Sequence, residues 1–282
     1  MTNETVLTIS GPARMRGVFS SAPSQTLNRS IALFFNAGGL HRVGPYRLWV
    51  DVARSLANNG VSSFRFDICG LGDSDDLPTQ EGNSGAFAVG SVVAAMDGIQ
   101  AHLGRECEFV LFGLCSGADQ AHAVAKTDPR VRGIAFLDAY GYRTRQYYLH
   151  QFRLRALSGR RWRNWIAKCL TSPSEIAKST KSVTTADFRE FPPALEIKED
   201  IQRFLDQGLR LLYIYSDGVP EYYNYKNQFW DMFPGLKPHR NLSVQYFPTA
   251  DHSFSLISDR EPLMRQLVRF AIKEGQSELL HY

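Results

Sequence analysis

Several signals that would assign a functional class directly are missing from this sequence. Its few cysteines form no Cys-x-x-Cys pair, so we expect no zinc or thioredoxin-type site, and no other metal or cofactor. The first residues, Met-Thr-Asn-Glu-Thr, do not resemble a signal peptide, and no apolar run reaches the ~18 residues that span a bilayer. We therefore expect a reduced, cytoplasmic protein with no stable membrane insertion. The cysteines are Cys69, Cys107, Cys115 and Cys169.

A strong excess of charge of one sign is also absent. The formal net charge is only +4, with an isoelectric point near 8.9, and a balance this mild does not indicate nucleic-acid binding. An apolar fraction of 44% excludes a mostly disordered chain. The length of 282 residues suits one domain with an insertion, or two small domains.

The sequence does contain a regular alternation of strand and helix patterns. Short apolar runs predict strands at residues 15–19, 31–35, 62–66, 109–112, 133–137, 211–215 and 242–247. Helical patterns are predicted at residues 46–59, 86–103, 116–126 and 261–274. This order is typical of an α/β protein with a mostly parallel central sheet flanked by helices. The first strands, joined by a turn-rich stretch, are expected to pair antiparallel.

The alternation stops between residues 141 and 200, where the chain becomes basic and aromatic. The segment 142–169 has eight Lys or Arg residues and no Asp or Glu, together with Trp162 and Trp165. We interpret residues 141–200 as a helical cap inserted into a core formed by 1–140 and 201–282. A solvated helix face would also explain the charge, and no nucleic-acid-binding motif is present. An anionic substrate, an acyl or peptidyl carrier protein, or an anionic lipid surface suits such a cap better.

One short run carries the strongest chemical signal. Residues 110–118 read as an apolar strand, then Gly113-Leu114-Cys115-Ser116-Gly117, then an alanine-rich helix. Small residues on both sides of Cys115 let a strand and a helix meet in a sharp turn, with the nucleophile at its apex. The helix N-terminus favours a thiolate, and the N–H of Ser116 would face a developing oxyanion. The alternative is a buried structural cysteine in a glycine-rich turn.

A second oxyanion donor is expected in the loop after the strand at 31–35. This loop, residues 36–42, contains Gly38 and Gly39, and we choose the N–H of Gly38 as the donor. A plain glycine turn is the alternative. His41 and Arg42 follow in the same loop and are candidates for substrate contact.

The general base and its carboxylate should follow the nucleophile in the chain. His252 comes directly after the strand at 242–247, where this topology delivers the base. Asp217, just past the strand at 211–215, is our first choice for the carboxylate that orients His252. Glu221 and Asp138 remain open as alternatives.

Together these motifs resemble the α/β-hydrolase superfamily over nearly the whole chain except the cap. The resemblance rests on the elbow at 113–117, the loop 36–42 with Gly44-Pro45, Asp251-His252 and the tight turn 67–75. That turn holds a Gly-x-Gly but lacks the spacing of a dinucleotide site. Among members with a cysteine nucleophile, the elbow is most similar to small hydrolases of exosortase, exopolysaccharide and other biosynthetic clusters. The resemblance implies acyl chemistry through a Cys-His-Asp triad.

The reaction that we expect forms an acyl-Cys115 intermediate. The acyl group would come from a thioester of CoA or a carrier protein, or from an ester, and would pass to water or to an amine or hydroxyl. Thioesterase, acyltransferase and cyclase activities all fit this scheme. The alternatives are a plain carboxylesterase or lactone hydrolase, and a non-catalytic binding module that retains the elbow.

Overall fold

The computed structural model describes residues 3–23, 30–76, 84–156, 189 and 191–272. Within these residues, eight strands form one sheet in the order β1-β2-β4-β3-β5-β6-β7-β8. The strands are β1 (Asn3–Ser10), β2 (Arg14–Ser21), β3 (Ser30–Phe34), β4 (Ser63–Phe66), β5 (Glu108–Leu114), β6 (Val131–Leu137), β7 (Arg210–Ser216) and β8 (Leu242–Phe247).

Most of the sheet is parallel, and an antiparallel hairpin extends one edge. Strands β4, β3, β5, β6, β7 and β8 pair parallel in that order. Strand β2 pairs antiparallel with both β1 and β4. The expectation that the first two predicted strands pair with each other is wrong, because β2 lies against β4 and β3 lies on the far side of β4. The first strand, β1, was not predicted: its outward residues are exposed, so no continuous apolar run marks it.

Helices cover both faces of the sheet. They are α1 (Leu48–Asn58), α2 (Ser84–Leu103), α3 (Ser116–Ala125), α4 (Arg145–Ala156), α5 (Ala194–Asp206), α6 (Gln228–Met232) and α7 (Ile257–Ala271), with a short 3-10 turn at Pro45–Arg47. Side chains along β5 alternate between the two faces. Phe109 and Leu111 pack on the side of α2, α3 and α5, whereas Val110 and Phe112 pack on the side of α1 and α7. Both faces of the central strands are therefore buried.

Helix α2 is long and apolar enough to cross a membrane, unlike any stretch that we expected from the sequence. Its window Gly85–Leu103 has a mean hydropathy of 1.3, and 33% of that window is buried. No other described helix passes the same test. Val92, Ala95, Met96 and Ile99 are fully buried in the cluster on the sheet. This inward apolar face is the arrangement of a core helix in an α/β protein.

Only part of the expected cap is described. Helix α4 is there, but Trp162, Trp165 and Cys169 lie outside the described residues. The expected boundary at residue 200 falls inside α5, whose Ile197, Ile201 and Phe204 are buried in the core cluster. The end of the 141–200 segment therefore contributes a flanking helix of the sheet.

Candidate active site

The backbone at Cys115 forms a strained turn between β5 and α3. Cys115 has φ 56° and ψ −122°, a left-handed conformation that is rare for a residue with a side chain. A Cβ at Gly113 would lie 2.3 Å from the carbonyl oxygen of Gly117, and one at Gly117 would lie 2.8 Å from the carbonyl oxygen of Asn36. Both positions therefore require glycine, as the spacing of the motif predicts. The turn places the thiol, which is partly buried, at the carboxyl edge of the sheet.

The surroundings of Cys115 favour the thiolate. Burial alone raises the pKa of the Cys115 thiol, but a hydrogen bond from His252, the positive charge of Arg189 and the N–H of Ser116 together lower it. The N-terminal end of α3 adds to this effect, because its unpaired N–H groups carry partial positive charge. The arrangement supports a thiolate paired with an imidazolium.

His252 bridges the thiol and a buried carboxylate. Its Nδ1 donates to Oδ2 of Asp138 at 2.7 Å, and the side chain of Asp138 has no solvent exposure. The backbone N–H and the hydroxyl of Ser216 also donate to this carboxylate, each at 2.7 Å. Burial alone would lower the pKa of His252, but its hydrogen bonds to Asp138 and Cys115 raise it to about 10. The imidazolium is therefore the favoured form at neutral pH.

The expectation that Asp217 orients His252 is wrong. Oδ1 of Asp217 accepts a hydrogen bond from the Tyr246 hydroxyl at 2.7 Å, in an exposed position. Glu221 was another candidate for this acid. Its backbone carbonyl accepts hydrogen bonds from Arg143 and Tyr147, and the carboxylate bound to His252 is that of Asp138. Asp138 takes the position because it follows β6, the strand next to β5, and its φ of 47° turns the chain sharply after Leu137.

The loop that carries His252 is fitted closely to the turn after β7. A Cβ at Gly218 would lie 1.9 Å from the backbone nitrogen of His252, so only glycine allows this approach. The motif Asp-Gly-Val-Pro at residues 217–220 thus supports the base through its glycine, whereas its aspartate does not contact the base.

The two expected oxyanion donors lie next to each other, but one is already engaged. The N–H of Ser116 lies close to the sulfur of Cys115 and helps to lower the pKa of the thiol. The N–H of Gly38 donates to Oγ of Ser116 at 2.7 Å, so a neighbouring hydroxyl occupies this donor. Side-chain competition of this kind is not visible in the sequence. Gly38 has φ 54°, and a Cβ built there would meet no atom within 4 Å, so glycine is needed for its backbone conformation and not for space.

The side chain of Arg42 forms ion pairs within the protein, whereas we expected it to contact the substrate. Its guanidinium hydrogen-bonds Asp67, which has no side-chain exposure, and binds Oδ2 of Asp73 at 2.6 Å. His41 lies 3.3 Å from Asp67 and 3.4 Å from Asp73 and is partly exposed. Within the described parts of the chain, His41, Asp67 and Asp73 are the one group close enough to share a metal ion. Arg42 already supplies the positive charge between these two carboxylates.

A further charged residue lies beside the site, and no motif in the sequence indicates it. Arg189 comes from the expected cap, and its side chain is only 4% exposed. It pairs with Asp119, one helical turn after Cys115, and donates to the carbonyl oxygen of Asp138 at 3.0 Å. Asp119 lies in the first turn of the helix that begins after Cys115, so its place near the site could have been inferred from the sequence. No sequence pattern around residue 189 indicates that Arg189 is its partner.

Comparisons with known proteins agree on the architecture. No family model and no curated protein match the chain. Among solved structures, an α/β serine hydrolase without a lid from Xanthomonas campestris is 13% identical, with a TM-score of 0.55 over 96% of this chain and 94% of that one.

Two further structures give the same result. A protein of unknown function from Agrobacterium tumefaciens, proposed to be an α/β hydrolase, is 14% identical, with a TM-score of 0.59 over 99% and 100% of the two chains. A cold-adapted esterase from an Arctic intertidal metagenomic library is 16% identical, with a TM-score of 0.52 over 95% and 93%. These likenesses, with the sheet order and the elbow, confirm the expected fold class. The chain therefore has the α/β-hydrolase fold.

Proposed function

We propose that this protein is an acyl-transfer enzyme that works through an acyl-Cys115 intermediate. His252 acts as general acid and base, and Asp138 orients it. The observation that carries the proposal is the chain of contacts from the thiol at the elbow, through His252, to the buried Asp138 carboxylate at 2.7 Å. A merely structural cysteine would not need a base and a buried acid aligned behind it.

The first half-reaction follows from these positions. The thiolate attacks the carbonyl carbon of the donor, and a C–S bond forms while the carbonyl oxygen becomes an oxyanion. The N–H of Ser116 stabilises this charge, and rotation of the Ser116 side chain would free the N–H of Gly38 to do the same. As the tetrahedral intermediate collapses, the bond to the leaving thiol or alcohol breaks, and the leaving group takes the proton of His252.

The second half-reaction regenerates the enzyme. His252, now neutral, accepts a proton from water or from an amine or hydroxyl acceptor while that group attacks the acyl-cysteine carbonyl. The C–S bond then breaks and the Cys115 thiolate is restored beside the imidazolium. Asp138 keeps Nδ1 protonated throughout, so Nε2 is the nitrogen that exchanges protons.

Thioester donors suit this site better than simple esters. A thiolate and a thioester leaving group have similar basicity, so the intermediate can collapse in either direction. With an alkyl ester, the attacking thiolate leaves more easily than the alkoxide, and collapse returns the substrate. The resemblance of the elbow to hydrolases of biosynthetic clusters supports a role in transferring an activated acyl group, with CoA or a carrier protein as the donor.

The test is to trap the acyl-enzyme. The protein is incubated with a panel of acyl-CoA thioesters and activated aryl esters, and intact mass and peptide mapping locate the adduct. We expect one acyl group on Cys115, none in C115A, and slower acylation in H252N. C69S is the matched control, because Cys69 is a buried free thiol in another part of the core and its loss should leave acylation unchanged. An absence of adduct across the panel, or an adduct that persists in C115A, would contradict the proposal.

A plain carboxylesterase is the second candidate, and it is favoured by the fold shared with the cold-adapted esterase. The variant C115S separates the two. A serine at this elbow should retain or gain hydrolysis of aryl esters if the protein is an esterase. If Cys115 serves thioester exchange, C115S should lose acyl transfer, because the hydroxyl of a serine stays protonated at neutral pH whereas the pKa of the Cys115 thiol is lowered.

A further inference from the structure

Arg189 connects three parts of the candidate site from a position with almost no solvent contact. Its Nε and Nη2 bind the two carboxylate oxygens of Asp119 at 2.8 and 2.5 Å. Its Nη1 donates to the carbonyl oxygen of Asp138 at 3.0 Å and lies 3.3 Å from the hydroxyl of Tyr222. That hydroxyl also donates to the carbonyl oxygen of Asp138, at 3.2 Å. Two donors therefore converge on the peptide that follows the acid.

Aromatic rings enclose the guanidinium. Its Cζ lies 4.9 Å from the ring centre of Phe191 and 5.8 Å from that of Tyr140. Such rings exclude water, and a charge without water around it acts over a longer distance than an exposed one. The positive charge of Arg189 is therefore felt by the neighbouring groups of the site.

Stability alone does not explain a charged pair in this place. Burying an arginine and an aspartate costs both their hydration, and an apolar pair of the same size commonly packs at least as well. Asp119 lies in the first turn of α3, which begins directly after Cys115, and Arg189 also binds the carbonyl oxygen of Asp138, the acid behind His252. The position of the charge points to a role in the site.

We propose that Arg189 is a positioning residue, which holds Cys115 as the thiolate through its buried charge and fixes the backbone of Asp138 through Nη1. This inference rests on the proposed function of Cys115 as the nucleophile. The charged and titratable groups that face the thiol are His252, Arg189 and Tyr222, with Asp138 and Asp119 behind them. Among these, Arg189 and His252 lower the pKa of the thiol, against the effect of burial.

The test compares two variants that differ only at residue 189. D119N removes the buried carboxylate and keeps Arg189, and D119N/R189Q then removes the guanidinium without leaving an unpaired aspartate. Alkylation of Cys115 by iodoacetamide is followed over pH in each, with peptide mapping to separate it from the other cysteines. The midpoint of the pH profile gives the pKa of the thiol without any acyl donor.

We expect the thiol pKa to be higher in D119N/R189Q than in D119N by about 0.5–1 unit, which is less than the effect of a charge in direct contact. At a pH below both midpoints, alkylation should be about 3–10-fold slower. Equal midpoints would overturn the proposal and leave Arg189 with a packing role. If the double variant does not fold, R189K replaces it: it keeps the charge and loses the paired hydrogen bonds. The proposal requires a near-native midpoint in R189K, and a midpoint raised by a full unit would refute it.

The outcome is independent of the acyl-enzyme experiment. Should no donor acylate Cys115, the pH profiles still report whether Arg189 controls the thiolate. Should the midpoints be equal while an acyl adduct forms, the nucleophile stands and only the role of Arg189 fails.

Discussion

The assignment of Asp138 as the carboxylate of the site makes a sharp prediction about D138N. Asparagine has nearly the same shape and can still accept from the N–H of Ser216, so the fold should be kept. It carries no charge, however, and the imidazolium of His252 loses its buried partner. We expect D138N to slow acylation of Cys115 strongly and D217N to change it by less than about threefold.

The magnitude follows from the electrostatics of His252. Its pKa is raised from 6.5 to about 10. This corresponds to a preference for the imidazolium of about 5 kcal/mol. Asp138 and Cys115 both contribute to it, and with about half assigned to Asp138 the loss is about 2.5 kcal/mol. If that loss appears in the transition state for acylation, the rate falls about 70-fold.

Single-turnover acylation with an acyl thioester, at neutral pH, measures this rate in wild type, D138N and D217N. Thermal unfolding of all three checks that the fold is intact. A large loss of the acylation rate in D217N, together with a near-native rate in D138N, would refute the reasoning and would identify Asp217 as the acid. Equal losses in both would mean that neither carboxylate acts through His252.

Three further results are expected. The rate of single-turnover acylation should rise at low pH as the thiol ionises, because the pKa of the thiol is lowered, and should then stay level through neutrality. It should fall near pH 10, where His252 loses the proton that the leaving group needs. A fall with its midpoint at the ordinary pKa of a free histidine would contradict this prediction. G218A should reduce the rate of acylation about 100-fold, because the added Cβ would lie 1.9 Å from the backbone nitrogen of His252. G90A is the control: it lies on α2, where an added Cβ would meet only a ring carbon of Pro12, at 3.5 Å. It should leave activity unchanged and raise the free energy of unfolding by up to about 1 kcal/mol. In urea unfolding, R42A should lower stability by about 3–5 kcal/mol, because Asp67 is left charged and without solvent exposure; H41A should cost less than about 1 kcal/mol, and a reversed order would show that Arg42 does not serve the fold.

The nucleophile could be read from the sequence because its signal is local. A strand, five residues with glycine at both flanks, and a helix are contiguous in the chain, and the physical demand for close approach at Gly113 and Gly117 is written in those residues. The parallel character of most of the sheet also follows from the alternation of strands and helices, whereas the position of β2 beside β4 does not. Strand β1 escaped because an edge strand needs little apolar content.

The acid could not be read, because Asp138 and Asp217 stand in equivalent places at the ends of neighbouring strands. The choice between them depends on which carboxylate faces His252, and that depends on the left-handed turn at Asp138 and the two hydrogen bonds from Ser216. Arg189 was still less accessible. Its partners lie at residues 119, 138 and 222, and no spacing along the chain brings them together.

The pairing of β5 with β6 also limits which variants of this protein can keep the site intact. After an irregularity at Phe109 and Val110, the strands run in step to Leu114 and Leu137, and the next residues are Cys115 and Asp138. One deletion or insertion within either strand would shift a reacting group by a residue and turn its neighbours to the opposite face. Libraries that seek new substrates should therefore hold constant the strand lengths and the turns at Cys115, Asp138 and Gly218, and vary only the other connections between strands and helices. In those segments, changes of length leave the spacing between nucleophile and acid untouched.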